Sequence, residues 1–343
     1  MRKGVNPAKS DIVDIDDVYH RIILPVYIPN LDNYFKESFE VLKICLNSLY
    51  STIHNKAKIS IASNGCCKEV NDYLNLELEA KRIDELYIVK SGIGKINSLY
   101  KIINSTKEAL ITISDADVLF TSGWQCAVEE IFLEYPKAGM VCPFSYSKGY
   151  KSMTANIYFD NLFNKRIKIT DIKDKNALEH FAKSIENDTF YNEIQKKYAV
   201  SYQEEGKPRA LVGAGHFVAT FKSGVFKQFS FNSNLKKLSS GEVQYIDLPS
   251  LKAGLWRLST DENFVYHMGN TVMPMYENKL NKNVNDEPKD ISCLREVKYQ
   301  SKLLFFIKNK LFRKIFFTDF FILKFLNNRG LSKSQALEFL NKN

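Results

Sequence analysis

The chain has 343 residues, of which 45% are hydrophobic and 25% charged, with a formal net charge of +9 and a pI near 9.0. The length is sufficient for one large α/β domain or two coupled halves, and the hydrophobic content is ordinary for a globular core, so disorder is not the default expectation. The positive charge favours an anionic partner, such as a nucleotide, a polyanionic acceptor, nucleic acid or an acidic membrane face. Charge alone does not choose among these partners.

Neither the cysteines nor the N-terminus indicates secretion. The cysteines lack the paired short spacing of a zinc site, so reduced cytosolic thiols are the simplest interpretation. The stretch from Met1 to the acidic residues Asp11 to Asp17 contains no apolar segment of the signal-peptide type. No run reaches the roughly 18 apolar residues that a transmembrane helix needs. We therefore expect a cytoplasmic protein, at most peripheral at the inner face of the cell membrane.

The first third of the chain alternates strand and helix patterns. The predicted strands lie at 21–27, 58–62, 85–89 and 109–114. The predicted helices lie at 34–50, 70–81 and 96–105. This alternation predicts an α/β fold with a mostly parallel, Rossmann-like sheet flanked by helices, in which ligands bind beyond the carboxyl ends of the strands.

The remainder of the chain differs in character. We divide it into a short N-terminal tail at 1–20, a main domain at 21–275 with its halves meeting near residue 120, and a C-terminal extension at 276–343. Within the second half, residues 150–210 are polar and helix-prone, which predicts a helical insertion or lid. The extension begins with a linker rich in Asn, Lys and Asp.

Residues 302–326 carry apolar side chains at helical spacing, with lysines and an arginine away from that stripe. The pattern predicts one basic amphipathic helix. Such a helix can lie on an anionic membrane surface, or it can pack back onto its own domain. Ser332 and Gln335 then have the spacing of a capping box for a last short helix.

Asp115 and Asp117 follow the last of the four predicted strands. Their spacing places two carboxylates on one side of the chain at the carboxyl edge of the sheet. Hard oxygen ligands suit Mg²⁺ or Mn²⁺, which can bridge to the phosphates of a nucleotide. An isolated Asp-x-Asp is more often a pair of solvated carboxylates, so its context must decide.

Several short motifs supply that context. They are, in chain order, Pro25-Val26-Tyr27, Ser63-Asn64-Gly65, Gly94-Lys95 followed by Ser98-Leu99, Asp115-Ala116-Asp117, Gly213-Ala214-Gly215, Glu242 and His267. In this order they resemble the nucleotide-sugar-dependent glycosyltransferases of the GT-A fold, most closely family 2 of bacterial polysaccharide synthesis. The resemblance covers roughly residues 20–275, and the ordered combination is far more specific than any single motif.

The resemblance implies a donor-binding role for several of these motifs. Pro25 and Tyr27 would line the nucleoside pocket, although ordinary strand packing is an equal alternative. Asn64 would hydrogen-bond the base, or serve only as a turn residue before its glycine. Lys95 would bind phosphate at a loop-to-helix junction, and a solvated surface lysine is the less favoured alternative. Gly215, within the later glycine pair, would belong to a tight turn beneath the donor sugar.

The resemblance also implies a metal site. Asp115 and Asp117 would bind the ion, and Asp115 would also lie near the ribose and the sugar. His267 matches a histidine that supplies a further ligand in several metal-dependent relatives. An imidazole suits Mn²⁺ better than Mg²⁺, so the expected cofactor is Mn²⁺, with Mg²⁺ as the alternative.

The catalytic base is where the chain departs from the family pattern. Glu242 stands twelve residues before Gly254 and matches the first acid of a Glu-Asp pair, but Val243 occupies the position that usually carries the base. Either Glu242 or Asp247 must then take the acceptor's proton, and we favour Glu242. Its alternative is a helix N-terminal carboxylate stabilised by the helix dipole.

Three further side chains have open roles. His216 is expected either to face the acceptor or to be packed. Trp124 and Trp256 are expected either to stack on sugar rings or, more commonly for tryptophan, to lie in the core.

The resemblance therefore implies a hexosyltransferase-type transfer, with inversion, from a nucleotide diphosphate sugar to a glycan or lipid-linked acceptor in surface polysaccharide synthesis. UDP-sugars are the favoured donors. Two alternatives stay open: a nucleotidyltransferase, and a non-catalytic nucleotide-binding or membrane scaffold subunit. Nucleic acid is not an expected partner, because the positive charge is spread and no recognition motif is present.

Overall fold

The computed structural model describes residues 17–228, 241–282 and 284–341. The strands are β1 (His20–Val26), β2 (Ala57–Asn64), β3 (Glu85–Val89), β4 (Leu110–Ser114), β5 (Val118–Phe120), β6 (Ala138–Cys142), β7 (Ile167–Asp171), β8 (Tyr198–Tyr202), β9 (Ala210–Val212), β10 (Val218–Lys222), β11 (Trp256–Thr260) and β12 (Val265–His267).

The α-helices are α1 (Ser38–Tyr50), α2 (Lys68–Glu79), α3 (Lys95–Ile103), α4 (Trp124–Glu134), α5 (Ala155–Asp160), α6 (Lys175–Ser184), α7 (Glu193–Lys197), α8 (Leu248–Lys252), α9 (Pro274–Leu280), α10 (Lys302–Phe306), α11 (Arg313–Phe316), α12 (Asp319–Asn328) and α13 (Lys333–Phe339). Short 3₁₀ turns occur at Asn33–Phe35, Ser147–Lys151 and Ser223–Val225, and π-helical turns at Val243–Asp247 and Ile307–Phe312.

Ten of these strands form one sheet in the order β3-β2-β1-β4-β10-β6-β11-β9-β8-β7. Strands β3, β2, β1 and β4 run parallel, and β6 and β11 form a further parallel pair. Strands β10, β9 and β7 run antiparallel to their neighbours. The predicted α/β fold, with a mostly parallel sheet, flanking helices and a helical C-terminal region, is confirmed.

The core lies on both faces of β1 and β4 and along most of β2. Ile22, Ile23 and Leu24 of β1 are fully buried, as is every residue of β4. Such continuous apolar runs are typical of parallel strands that helices cover on both sides. Here α3 packs against β1 and β2, while α4 packs against β6 and β11. The carboxyl ends of these strands are therefore held at one edge of the sheet.

The region 150–210 is only partly helical. It contains α5, α6 and α7, but β7 and β8 extend the sheet at its edge, so the prediction of a purely helical insertion is corrected. Strand β7 exposes Lys168 and Asp171 while it buries Ile167. Because an edge strand buries so little, its apolar pattern is too weak to distinguish it from a polar helix.

The C-terminal region is a series of short helices, not the single predicted helix over 302–326. The helical conformation is interrupted between α11 and α12, and Phe316 and Ile322, on the two sides of this interruption, are both buried. Leu311 and Ile315, which belong to the predicted apolar stripe, are exposed. The predicted capping box is confirmed, with Ser332 and Gln335 bonded reciprocally at the start of α13.

The C-terminal helices pack on the main domain through α5. The Tyr158 ring lies 4.8 Å from that of Phe316 and 5.4 Å from that of Phe325, and Lys308 Nζ lies 2.5 Å from Asp160 Oδ1. Among the described residues, no helix has the length and apolarity to cross a bilayer. Most of the predicted N-terminal tail, residues 1–16, lies outside the described residues, and His20 already belongs to β1.

Candidate nucleotide and metal site

Strand pairing brings three distant motifs to the carboxyl edge of the sheet. Strand β4 pairs with β10, and the Asp115 backbone N–H donates to Phe217 O at 2.7 Å. Strand β5 pairs with β12, and the Met268 N–H donates to Asp117 O at 2.8 Å. The two aspartates, the segment after the glycine pair and the segment around His267 are thus held together by backbone hydrogen bonds.

His267 faces Asp117, with 3.5 Å between its Nε2 and Asp117 Oδ2. Its other nitrogen, Nδ1, lies 2.9 Å from Ser184 Oγ at the end of α6. Since the Ser184 hydroxyl donates to Phe181 O, it accepts from Nδ1–H, and the lone pair of His267 is on Nε2. This is the tautomer that a metal ligand requires. Ser184 was not predicted from the sequence, because nothing local connects it to His267.

Asp117 has an unsatisfied carboxylate. Its Oδ1 is shielded from solvent and has no hydrogen-bond partner in the described part of the chain. Burial raises the pKa of Asp117 to about 6, against the opposing effect of His267. A buried carboxylate oxygen without a donor, beside an imidazole nitrogen with a free lone pair, fits a divalent cation such as Mn²⁺ or Mg²⁺.

Lys95 bridges two carboxylates at the start of α3. Its Nζ lies 2.5 Å from Asp115 Oδ1 and 2.7 Å from Glu242 Oε1. Partial burial by itself lowers the pKa of Lys95, but the two carboxylates raise it above its usual range. The side chain is therefore a cation at the sheet edge, at the N-terminus of α3, and both the charge and the helix dipole suit an anion such as phosphate.

Asn64 positions the loop that leads to Lys95. Its side chain is buried, and Oδ1 accepts from the Ile93 N–H at 2.8 Å. At Gly65, which has φ +79°, a Cβ would press on the Gly92 backbone. Asn64 thus has at least the turn-and-loop role that was its alternative interpretation, and a contact with a base stays a prediction.

Tyr27 offers an aromatic surface at the same edge. It is 44% exposed and packs edge-on against Phe35 with 5.9 Å between ring centroids. Pro25, two residues earlier in β1, is half-buried. Both positions are compatible with a nucleoside pocket, and that role stays a prediction.

Asp247, one of the two candidate bases, is buried in an ion pair. Its Oδ1 lies 2.8 Å from Arg257 Nη2, and its Oδ2 lies 3.2 Å from His216 Nδ1. The hydrogen bond to Asp247 raises the pKa of His216. The other nitrogen, Nε2, lies 3.6 Å from Glu242 Oε2. Of the two candidate bases, Glu242 is therefore the one whose half-buried carboxylate faces the nucleotide and metal site.

Arg257 was missed by the sequence reasoning. It is almost fully buried in β11, and its Nη2 also donates to Ala214 O at 2.7 Å, which holds the glycine turn. The available signal was an arginine inside an apolar strand pattern, because a buried charge requires a partner. In that turn Gly213 is the residue with left-handed backbone, φ +110°, while Gly215 lies next to His216 without that requirement.

The two tryptophans are core residues. Trp124 is fully buried, and its indole N–H donates to Thr52 Oγ1 at 3.1 Å. Trp256 is buried against Tyr202, with 5.0 Å between the ring centroids, and its N–H donates to Asp160 Oδ2 at 2.9 Å. Stacking of either tryptophan on a sugar is therefore wrong, since neither ring face reaches the site.

A second group of potential ligands, His20, His54 and Glu129, is a hydrogen-bonded network at the opposite edge of the sheet. Both histidines lie 2.9 Å from Glu129 Oε1. The Lys56 N–H donates to His54 Nδ1, so the neutral His54 ring carries its proton on Nε2 and donates it to Glu129. These contacts explain the cluster as part of the fold, without a cation.

No protein-family model and no curated protein matches the chain. Similar solved structures include a mannosyltransferase from Pyrobaculum calidifontis with GDP-Man and Mn²⁺ (13% identity, TM-score 0.40, covering 73% of this chain and 57% of that one). Another is S. aureus TarS 1–349 with UDP (10%, 0.42, 77% and 63%). A third is GalNAc-T7 with UDP, GalNAc and Mn²⁺ (12%, 0.47, 74% and 44%).

All three structures are of GT-A-type glycosyltransferases, the class that the sequence resembles. This chain matches 44 to 63% of their lengths. Because the TM-scores lie below 0.5, the function proposed below rests on the side chains of the site.

Proposed function

We propose that the chain is a metal-dependent glycosyltransferase that transfers a sugar from a nucleotide diphosphate sugar, in particular a UDP-sugar, to a glycan or lipid-linked acceptor, with inversion. The observation that carries the proposal is the pairing of Asp117 and His267 beside Lys95 and Asp115. In this arrangement a cation site lies next to a phosphate-binding lysine at the carboxyl edge of parallel strands, where nucleotides bind in such sheets.

The donor-binding roles follow from this arrangement. Asp115, Asp117 and His267 would hold Mn²⁺ or Mg²⁺, which when bound neutralises the negative charge of the departing diphosphate. Lys95 donates to the same phosphates in place of one of its two carboxylate partners. Tyr27 offers its exposed ring to the base.

Glu242 is the proposed proton acceptor. It is accessible at the edge of the site, whereas Asp247 is committed to Arg257. Asp247 acts as a positioning residue: it accepts from His216 Nδ1–H and leaves Nε2 directed at Glu242. A proton taken from the acceptor hydroxyl by Glu242 then has an imidazole nearby to receive it.

The proposal also includes the biological role and the cellular location of the enzyme. A role in surface polysaccharide synthesis, in the cytoplasm at the inner face of the cell membrane, is supported by the resemblance to family 2 and by the basic C-terminal region.

Calorimetry with UDP, GDP and CDP, with and without Mn²⁺, tests this proposal on the wild type and on Asp117→Asn. We expect Mn²⁺-dependent binding of one nucleotide, weakened at least tenfold in the variant, since loss of a ligating carboxylate removes a charged contact. Asp171→Asn, an exposed aspartate of β7, is the matched control and should bind as the wild type does.

Binding of no nucleotide under either condition would overturn the proposal and favour a non-catalytic scaffold subunit. If a nucleotide binds with the same affinity with and without Mn²⁺, and equally to the Asp117→Asn variant, the proposed metal site is wrong but the proposed nucleotide pocket is retained. Sugar release from the matching nucleotide sugar, lost in Glu242→Gln although nucleotide still binds, would then support the assigned base.

A further inference from the structure

Exposed aromatic side chains gather where the loop after α5 meets α12. Phe163 is 99% exposed, Phe320 69% and Phe321 47%. Phe163 and Phe321 line one shallow groove, and the rings of Phe320 and Phe321 are 5.2 Å apart. A contiguous apolar surface of this kind is uncommon on soluble proteins and marks a contact surface.

The loop and the helix are fastened to each other and to the main domain. Arg329 Nη2, at the end of α12, donates to Asn164 O at 2.8 Å in the loop. Within the loop, Asn164 Nδ2 donates to Asn161 Oδ1 at 2.8 Å. The aromatic rings therefore project from an anchored base, so they are presented to a partner together.

Two lysines lie beside these rings, in a part of the chain that is rich in cations. Lys165 and Lys324 are exposed and line the same groove. Residues 302–333 contain eight Lys and Arg but one acidic residue, Asp319, in a chain whose net charge is +9. Of these cations, Lys308 is taken up by its ion pair with Asp160. The other exposed cations of this stretch are Lys302, Lys310, Arg313, Lys314, Lys324 and Lys333.

We propose that this basic aromatic surface, formed by Leu162, Phe163, Lys165, Phe320, Phe321 and Lys324, docks on an anionic lipid bilayer. The rings enter the boundary between headgroups and acyl chains, and the lysine ammonium groups stay at the level of the lipid phosphates. The excess of positive charge over one stretch of chain matches the negative potential of such a surface.

The chemistry favours lipid over a protein partner. A phenylalanine that is almost wholly exposed at a loop tip has no pocket wall of its own, whereas an interface of the bilayer accepts it without a shaped complement. Docking at this surface deepens the proposed placement at the inner face of the membrane. No described residue of the nucleotide and metal site belongs to the surface, so loss of vesicle binding and loss of nucleotide binding are separate outcomes.

Sedimentation of the full chain with phosphatidylcholine vesicles, with and without phosphatidylglycerol, tests the inference. We expect binding to the anionic vesicles only, weakened by high salt. Phe163→Ser with Phe321→Ser should lower the partition coefficient at least tenfold, since two large apolar groups no longer leave water. Lys165→Gln and Lys324→Gln should each lower it about fivefold.

Leu76→Ser is the matched control, because Leu76 is a 61% exposed apolar residue on α2, outside the proposed surface. It should bind vesicles as the wild type does, and all variants should keep the wild-type melting temperature since the changed side chains are exposed. Equal binding by the wild type and the double Phe variant would overturn the inference. So would wild-type self-association that the double variant abolishes, because a second copy would then cover the surface.

Discussion

The Asp247→Asn variant tests whether Asp247 is a partner in a buried structural ion pair or the catalytic base. Asp247 and Arg257 are almost fully buried, with 2.8 Å between Oδ1 and Nη2. Removing one partner of such a pair leaves a buried charge uncompensated, which costs about 3 to 5 kcal/mol. Because the asparagine carbonyl can still accept one hydrogen bond from Arg257, we expect the lower end, about 3 kcal/mol.

Urea unfolding followed by circular dichroism at neutral pH measures this loss. The matched control is Glu242→Gln, since Glu242 is half-buried and Lys95 retains Asp115 as its partner. We expect the control to cost less than about 1 kcal/mol. The pKa of His216, measured by NMR titration, should fall in Asp247→Asn, because the hydrogen bond to Asp247 is the main cause that raises it.

A loss below about 1 kcal/mol with an unchanged His216 pKa would refute this reasoning. Asp247 would then be a free carboxylate, and it would return as the candidate base in place of Glu242.

The remaining predictions concern stability. Gly213→Ala should cost about 3 kcal/mol or more, since φ is +110° and the new Cβ would collide with the Gly149 backbone. Gly206→Ala, with φ +72° but open space, should cost only about 1 to 2 kcal/mol; equal losses in chemical unfolding would refute the collision. Burial opposes ionisation of Glu129, but hydrogen bonds from His20 and His54 lower the Glu129 pKa to about 2. A depressed carboxyl pKa stabilises the fold above the unfolded pKa of about 4.3, by about 3 kcal/mol, and this is lost as the pH falls towards 2. The stability difference between wild type and Glu129→Gln should therefore shrink over that range, and a constant difference would contradict the assignment.

Local pattern was enough for the nucleotide half of the fold. The strand at 85–89 has the predicted bounds, and the other predicted strands and helices before residue 120 differ from the structure by a few residues at their ends. Local pattern predicts these elements because each is a short strand rich in apolar residues or a helix with one apolar face, and its periodicity is contained within its own residues. The order of motifs along the chain likewise predicted Asp115, Asp117, Lys95, Glu242 and His267 as site residues, and the structure brings their side chains close together.

Tertiary structure alone decided the partners of those residues. Ser184 orients His267, and Arg257 engages Asp247, across 83 and 10 residues of sequence respectively, through hydrogen bonds that no local pattern encodes. The same holds for the C-terminal region. Its sequence predicted helical periodicity, but it did not predict which of the apolar side chains would be buried against the main domain. Burial and pairing depend on surfaces that meet only when the sheet is assembled, whereas periodicity depends on the backbone of one segment.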